Sequence, residues 1–132
     1  MDLSLVSEVI GQDDQRWLAS AHGTGSGDPI TLDAALFTAG THYPNGYLPS
    51  GTVLAQNTST LRYGPYTTGG ATGSGTAAGL LLTPVKITSG TSTPSGPMVW
   101  HGEVATAYLP FTSGAGSIDA TGKGQLPLIK FV

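Results

Sequence analysis

The sequence places a histidine and a carboxylate two residues apart, at His101-Gly102-Glu103. On a strand, residues i and i+2 share a face. The two side chains could therefore meet as an acid–base pair or as two metal ligands. Zinc deaminases use the same spacing, but a P-C-x-x-C half completes their metal shell. This chain has no cysteine, hence no thiolate ligand, no Cys nucleophile and no disulfide. The pair reads instead as a surface hydrogen bond or ion pair. His22 and His42 fall in loops, neither with a second ligand at metal spacing. Asp28 and Asp33 flank Ile30-Thr31-Leu32 behind Gly23, Gly25 and Gly27, an echo of a calcium-binding repeat. One copy supplies too few oxygens to hold the ion. The glycine-rich stretch 69–79 lacks a Gly-Lys-Ser/Thr ending, so both the phosphate-binding lysine and the magnesium ligand are missing. Asn57-Thr58-Ser59 matches a glycosylation sequon, but Met1-Asp2-Leu3-Ser4-Leu5 does not open like a secretory leader. No G-x-S-x-G elbow activates a serine. The expectation is a protein with no catalytic residues, no cofactor and no metal.

The elements available to position any such groups are short. The chain has 132 residues, 20 of them glycine and 9 proline, and only 10% are charged, against about 25% in an ordinary soluble domain. This length supports one domain that buries roughly two-thirds of its unfolded surface. A net charge of −3 with five Lys and Arg argues against a nucleic-acid partner, which demands phosphate-neutralising cations. Apolar runs such as Leu80-Leu81-Leu82 are far too short to cross a membrane.

Short strands are expected at Ile30-Thr31-Leu32, at Gly51 to Gln56, around Leu61 to Tyr66, over residues 79–88 and from Leu126 to Val132. Pro84 marks an edge or a break, because it cannot donate to a ladder. Met98 to Ala105 gives the clearest strand pattern. It puts Met98, Trp100 and Val104 on one face as a core stripe, and Val99, His101 and Glu103 on the other. Turn signals separate these runs. The expected fold is mainly β, a small β-barrel or sandwich-like body with long Gly/Ser/Thr-rich loops, little helix and an extended N-terminal arm. Residues 1–20 form the arm, 21–29 a flexible connector, and 30–132 the β-rich body. The arm carries Leu3, Leu5, Val6, Val9, Ile10, Trp17 and Leu18, whose spacing over residues 2–10 fits a helix about as well as a strand. These apolar groups need a surface supplied by the body or by a partner.

An ordered set of segments carries a family resemblance. It runs from Pro49-Ser50-Gly51-Thr52-Val53-Leu54 through Arg62-Tyr63-Gly64-Pro65-Tyr66 to Gly75-Thr76-Ala77-Ala78-Gly79-Leu80-Leu81-Leu82. It continues through Val99-Trp100-His101-Gly102-Glu103-Val104 and Ala107-Tyr108-Leu109-Pro110 to Ile129-Lys130-Phe131-Val132. Over roughly residues 30–132 the chain resembles the bacteriophage head decoration proteins, the lambda D-like capsid-cementing group. The resemblance implies a compact β-rich body and a homotrimer seated at threefold and quasi-threefold positions of an icosahedral head. It also implies an N-terminal arm that reaches the major capsid protein, often by adding a strand to it. It places the protein on the outer surface of the capsid, made in the host cytoplasm, where it stabilises the expanded head. It carries over no catalytic residues. The longer arm and connector depart from the lambda protein.

Two other readings come from different classes. Trp17, Tyr43, Tyr47, Tyr63, Tyr66, Trp100 and Tyr108 could build an aromatic sugar platform, making a carbohydrate-binding or adhesin module. His101 and Glu103 could serve a small hydrolase.

Overall fold

The computed structural model describes residues 15–20, 28–88, 90 and 92–132. Nine strands form within them: β1 (Asp28–Thr31), β2 (Tyr47–Leu48), β3 (Val53–Gln56), β4 (Tyr63–Pro65), β5 (Ala77–Leu81), β6 (Val85–Lys86), β7 (Ser95–Val99), β8 (Gly102–Val104) and β9 (Ile129–Phe131). Two short α-helices are present, α1 (Ala39–His42) and α2 (Ala120–Gly124), with 3-10 turns at Ala34–Leu36 and Thr106–Tyr108. The molecule is mainly β, as the composition predicts, and its sheets do not close into a barrel.

The largest sheet is antiparallel with strand order β1-β7-β5-β3-β4. Its apolar runs are continuous rather than alternating because both of its faces are buried. Val53, Ala55, Leu80 and Val99 enter one core cluster with Trp17, Tyr66, Val104 and Ile129. Leu54, Leu81 and Met98 enter a second with Leu32, Phe37 and Leu48. Successive side chains on a strand point to opposite faces, so Leu80 and Leu81 serve different cores. Where β5 meets β3 the register shifts between Leu54 and Ala55, leaving Ala78 as the extra residue of a bulge. Bulges of this kind sharpen the local twist.

Both edges of this sheet are blunted. β1 carries Pro29 and β4 carries Pro65, and a proline cannot offer an N–H to an incoming strand. A single parallel bridge, Leu32 to Tyr63, ties the two edge regions together, with Asp33 N–H donating to the Tyr63 carbonyl at 2.9 Å. The 3-10 turn before Phe37 also covers β4: a Cβ on Gly64 would meet Leu36 at 2.7 Å.

The stretch from Met98 to Ala105 is not one strand. β7 ends at Val99, and β8 begins at Gly102 in a different, two-stranded parallel sheet with β9. Gly102 makes the switch at φ 135°, in a region of backbone space that is essentially open only to glycine. The core stripe predicted there is accordingly different. Met98 and Val99 are both buried, against opposite cores, while Trp100 is only half-buried. The break at Pro84 is where expected, between β5 and β6.

Candidate functional site

Of the seven arm residues, Leu3, Leu5, Val6, Val9 and Ile10 lie outside the described residues. Trp17 and Leu18 lie inside them, in the body. Trp17 is fully buried. Its indole Nε1–H donates to Ser50 Oγ at 2.9 Å, and Ser50 passes the bond on to the Leu82 carbonyl at 2.6 Å. A buried indole needs such a partner. Gly51 makes room for the ring: with φ at 93°, its Cβ would sit 2.9 Å from Trp17 Nε1 and 2.8 Å from Pro110 Cδ. Leu18 forms an antiparallel bridge with Val104, flanked by Ala19 N–H to the Glu103 carbonyl at 3.1 Å and Ala105 N–H to the Trp17 carbonyl at 2.6 Å. Gln15 adds a side-chain bond to the Leu82 carbonyl at 2.7 Å, and the Arg16 guanidinium lies 5.2 Å from the centre of the Tyr108 ring. Residues 15–19 are thus a root stitched into the core. Trp17, assigned to the arm on sequence, packs as a core residue because a tryptophan this large gains most by full burial.

The histidines do not assemble. His22 lies outside the described residues. His42 is buried and both its nitrogens are used: Nδ1 accepts from Thr38 N–H at 2.9 Å, and Nε2 donates to the Ala115 carbonyl at 3.0 Å. An Nδ1 that accepts carries no proton, so the ring is the Nε2–H tautomer. Phe37 and Phe111 pack edge-on against it. His101 packs edge-on against Trp100, ring centres 4.3 Å apart, and Glu103 lies opposite Lys130 across the β8–β9 pair. Among the described residues, no three His, Asp or Glu side chains are grouped to hold a metal. Asp33 caps a 3-10 turn by accepting from Ala35 N–H. The Asn57 side-chain Oδ1 accepts from Ser59 and Thr60 N–H, the Asx turn that explains an asparagine there.

Two features were not read from the sequence. Asp119 caps α2, accepting from Gly122 N–H at 2.8 Å and from the Tyr66 hydroxyl at 2.9 Å, and it also bonds Thr68. The Gly122 N–H, first among these donors, holds the Asp119 carboxyl below the usual carboxylate range. Burial, chiefly, pushes the Tyr66 phenol up. An aspartate just before an α2 sequence of only five residues was the available signal. The second is a cleft of about 170 Å³ lined by prolines 44, 49, 84 and 110 with Tyr47 and Phe111, whose walls come from four separate turns. The seven aromatics do not make a shared platform, since Trp17 and Tyr66 are buried in the core.

Among the described residues, then, Asp33, Asn57 and Asp119 serve turns and a cap, His42 is bonded within the body, and residues 15–19 form a root stitched into a β-rich core. A family model, that of the bacteriophage lambda head decoration protein D, matches residues 14–125, and the chain belongs to this family. No curated protein matches it. The family is a structural, capsid-decorating one, and its members sit on the outer surface of the phage head. The matched stretch starts at the root, upstream of the connector, and stops short of β9.

Proposed function

We propose that the protein seats as a trimer at threefold and quasi-threefold positions of the expanded head and cements adjacent capsomers. Its arm, Leu3, Leu5, Val6, Val9 and Ile10, reaches the major capsid protein, with Trp17 and Leu18 as the anchor that ties the arm to the body. The observation that supports this reading is the stitched root at residues 15–19, which fixes in the folded core the point where the chain leads to the apolar residues of 1–14. The blunted edges of the five-stranded sheet are consistent with a division of labour in which that sheet does not accept a strand and the arm supplies one to the shell. Backbone pairing requires little side-chain code, and three arms per trimer multiply a weak contact through effective concentration.

The test mixes undecorated expanded heads with the full chain and with a variant lacking residues 1–14. The cut preserves Gln15 and Trp17, which the core requires. The full chain is expected to give density at threefold axes, and the variant, folded by circular dichroism, to bind at least tenfold more weakly. Undiminished binding by the variant would remove the arm from the mechanism. Density away from the threefold positions would refute the seating.

A further inference from the structure

The chain holds two asparagines, Asn45 and Asn57, and they stand in opposite settings. Asn45 precedes Gly46 in the turn Tyr43-Pro44-Asn45-Gly46, which Gly46 N–H closes by donating to the Tyr43 carbonyl at 3.0 Å. Asn45 is exposed, and its side-chain amide makes no hydrogen bond among the described residues. Gly46 sits at φ 82°, and a Cβ built there would meet nothing within 4 Å. With no side chain on Gly46, nothing on that residue obstructs the approach of its nitrogen to the neighbouring amide. Asn57 precedes the β-branched Thr58. Its Oδ1 is held by Ser59 N–H at 2.8 Å and Thr60 N–H at 3.1 Å. The Thr58 N–H donates to the Thr72 carbonyl at 3.0 Å, and the Thr58 methyl lies against Gly73.

We propose that Asn45 is a site of spontaneous deamidation, with water as the only co-reactant. Hydroxide takes the Gly46 amide proton while the turn bond to Tyr43 is open, and local openings of exposed turns cost little. The Gly46 nitrogen then attacks Asn45 Cγ. The new N–Cγ bond closes a succinimide ring, the Cγ–Nδ2 bond breaks, and Nδ2 leaves as ammonia with a proton from water, which restores the hydroxide. Water opens the ring at Cγ to give aspartate. Opening at the backbone carbonyl carbon gives isoaspartate instead, whose main chain runs through Cβ and is one atom longer. Nothing is oxidised or reduced. Asn45 lines the proline cleft, whose described walls hold no Asp, Glu, Lys or Arg, so either product adds a carboxylate to an uncharged wall. The extra atom of isoaspartate falls beside Gly46, whose carbonyl accepts from Ile87 N–H at 2.8 Å next to the β2–β6 pair. The modification therefore changes the cleft in charge and in shape.

The proposal rests on the turn alone and stands apart from shell binding. The test incubates the full chain at neutral and at mildly alkaline pH, then follows aspartate and isoaspartate at both positions by peptide mapping and mass spectrometry. Conversion at Asn45 is expected to outpace that at Asn57 by about tenfold or more, the factor that opening one or two further hydrogen bonds imposes. It should quicken as pH rises, because the Gly46 nitrogen attacks as the anion. Asn45→Gln, whose longer side chain closes a ring far more slowly, should show no comparable mass gain in that peptide. The urea-unfolded chain serves as the reference for a turn that is always open. If the folded chain keeps Asn45 intact while the unfolded chain converts it, the turn protects the residue and the proposal is overturned. Equal conversion of the two asparagines in the folded chain overturns it as well, and so does a rate at Asn45 indifferent to pH.

Discussion

Replacing Trp17 with alanine tests whether residues 15–19 belong to the body. The indole is fully buried among Val53, Leu80, Val99 and Val104, and truncating such a side chain costs about 3–5 kcal/mol. The change also removes the donor to Ser50 Oγ, and an unpaired buried acceptor adds about 1–3 kcal/mol unless water enters the cavity. Against a total of about 5–15 kcal/mol for a domain, the variant stands near the limit of folding. A melting temperature lower by roughly 10–25 °C is expected for a chain of this size. Trp100→Ala provides the comparison: its side chain is only partly buried, so a smaller transfer loss is expected. Both variants are read by urea and thermal melts followed by far-UV circular dichroism, since fluorescence loses its own reporter. If Trp17→Ala unfolds within about 1 kcal/mol of wild type, or if Trp100→Ala is the more damaging change, the root is not part of the core and the reasoning fails.

Two further outcomes follow from hydrogen-bonded polar side chains. Asp119 has its carboxyl depressed by the Gly122 N–H and the Tyr66 hydroxyl, so its contribution to stability is present above the unfolded aspartate value, about 3.9, and is lost as pH falls through the lower folded value. The wild-type melting temperature should therefore drop on acidification below about pH 4, and Asp119→Asn should show a smaller drop; parallel pH profiles would refute this. His42→Phe keeps an aromatic ring beside Phe37 and Phe111 but strands the Thr38 N–H and the Ala115 carbonyl, a loss of about 2–4 kcal/mol. His101→Ala, at a half-buried position, should cost no more than about 1 kcal/mol in the same denaturant melts.

The β class was legible because turn residues punctuate short apolar runs, and β1, β3, β4, β5 and β9 lie where those runs do. Period alone could not show that Leu80 and Leu81 face two different cores, since a strand buried on both faces reads as an unbroken apolar run. The same blindness merged β7 and β8. Alternation through Met98, Trp100 and Val104 carries no record of a change of sheet, and the only local mark was Gly102. Trp17 could not be placed in the core from sequence because Gln12-Asp13-Asp14-Gln15-Arg16 beside it looks solvated, whereas its partners Ser50 and Val104 are 33 and 87 residues away. Helix α2, in a glycine-rich stretch of poor helix propensity, is held by the contacts of Asp119 and Tyr66, which no local pattern contains.

The root has a mechanical meaning. Residues 17–19 run antiparallel to β8, held by Ala105 N–H to the Trp17 carbonyl and Ala19 N–H to the Glu103 carbonyl, with the indole wedged behind Gly51. Tension drawn along that axis from residue 14 strains these bonds in shear, so they share the force and yield together instead of unzipping in turn. If residues 1–14 hold the shell as proposed, pulling on them loads the tryptophan in the core, and the anchor's strength is tied to the stability of the whole body.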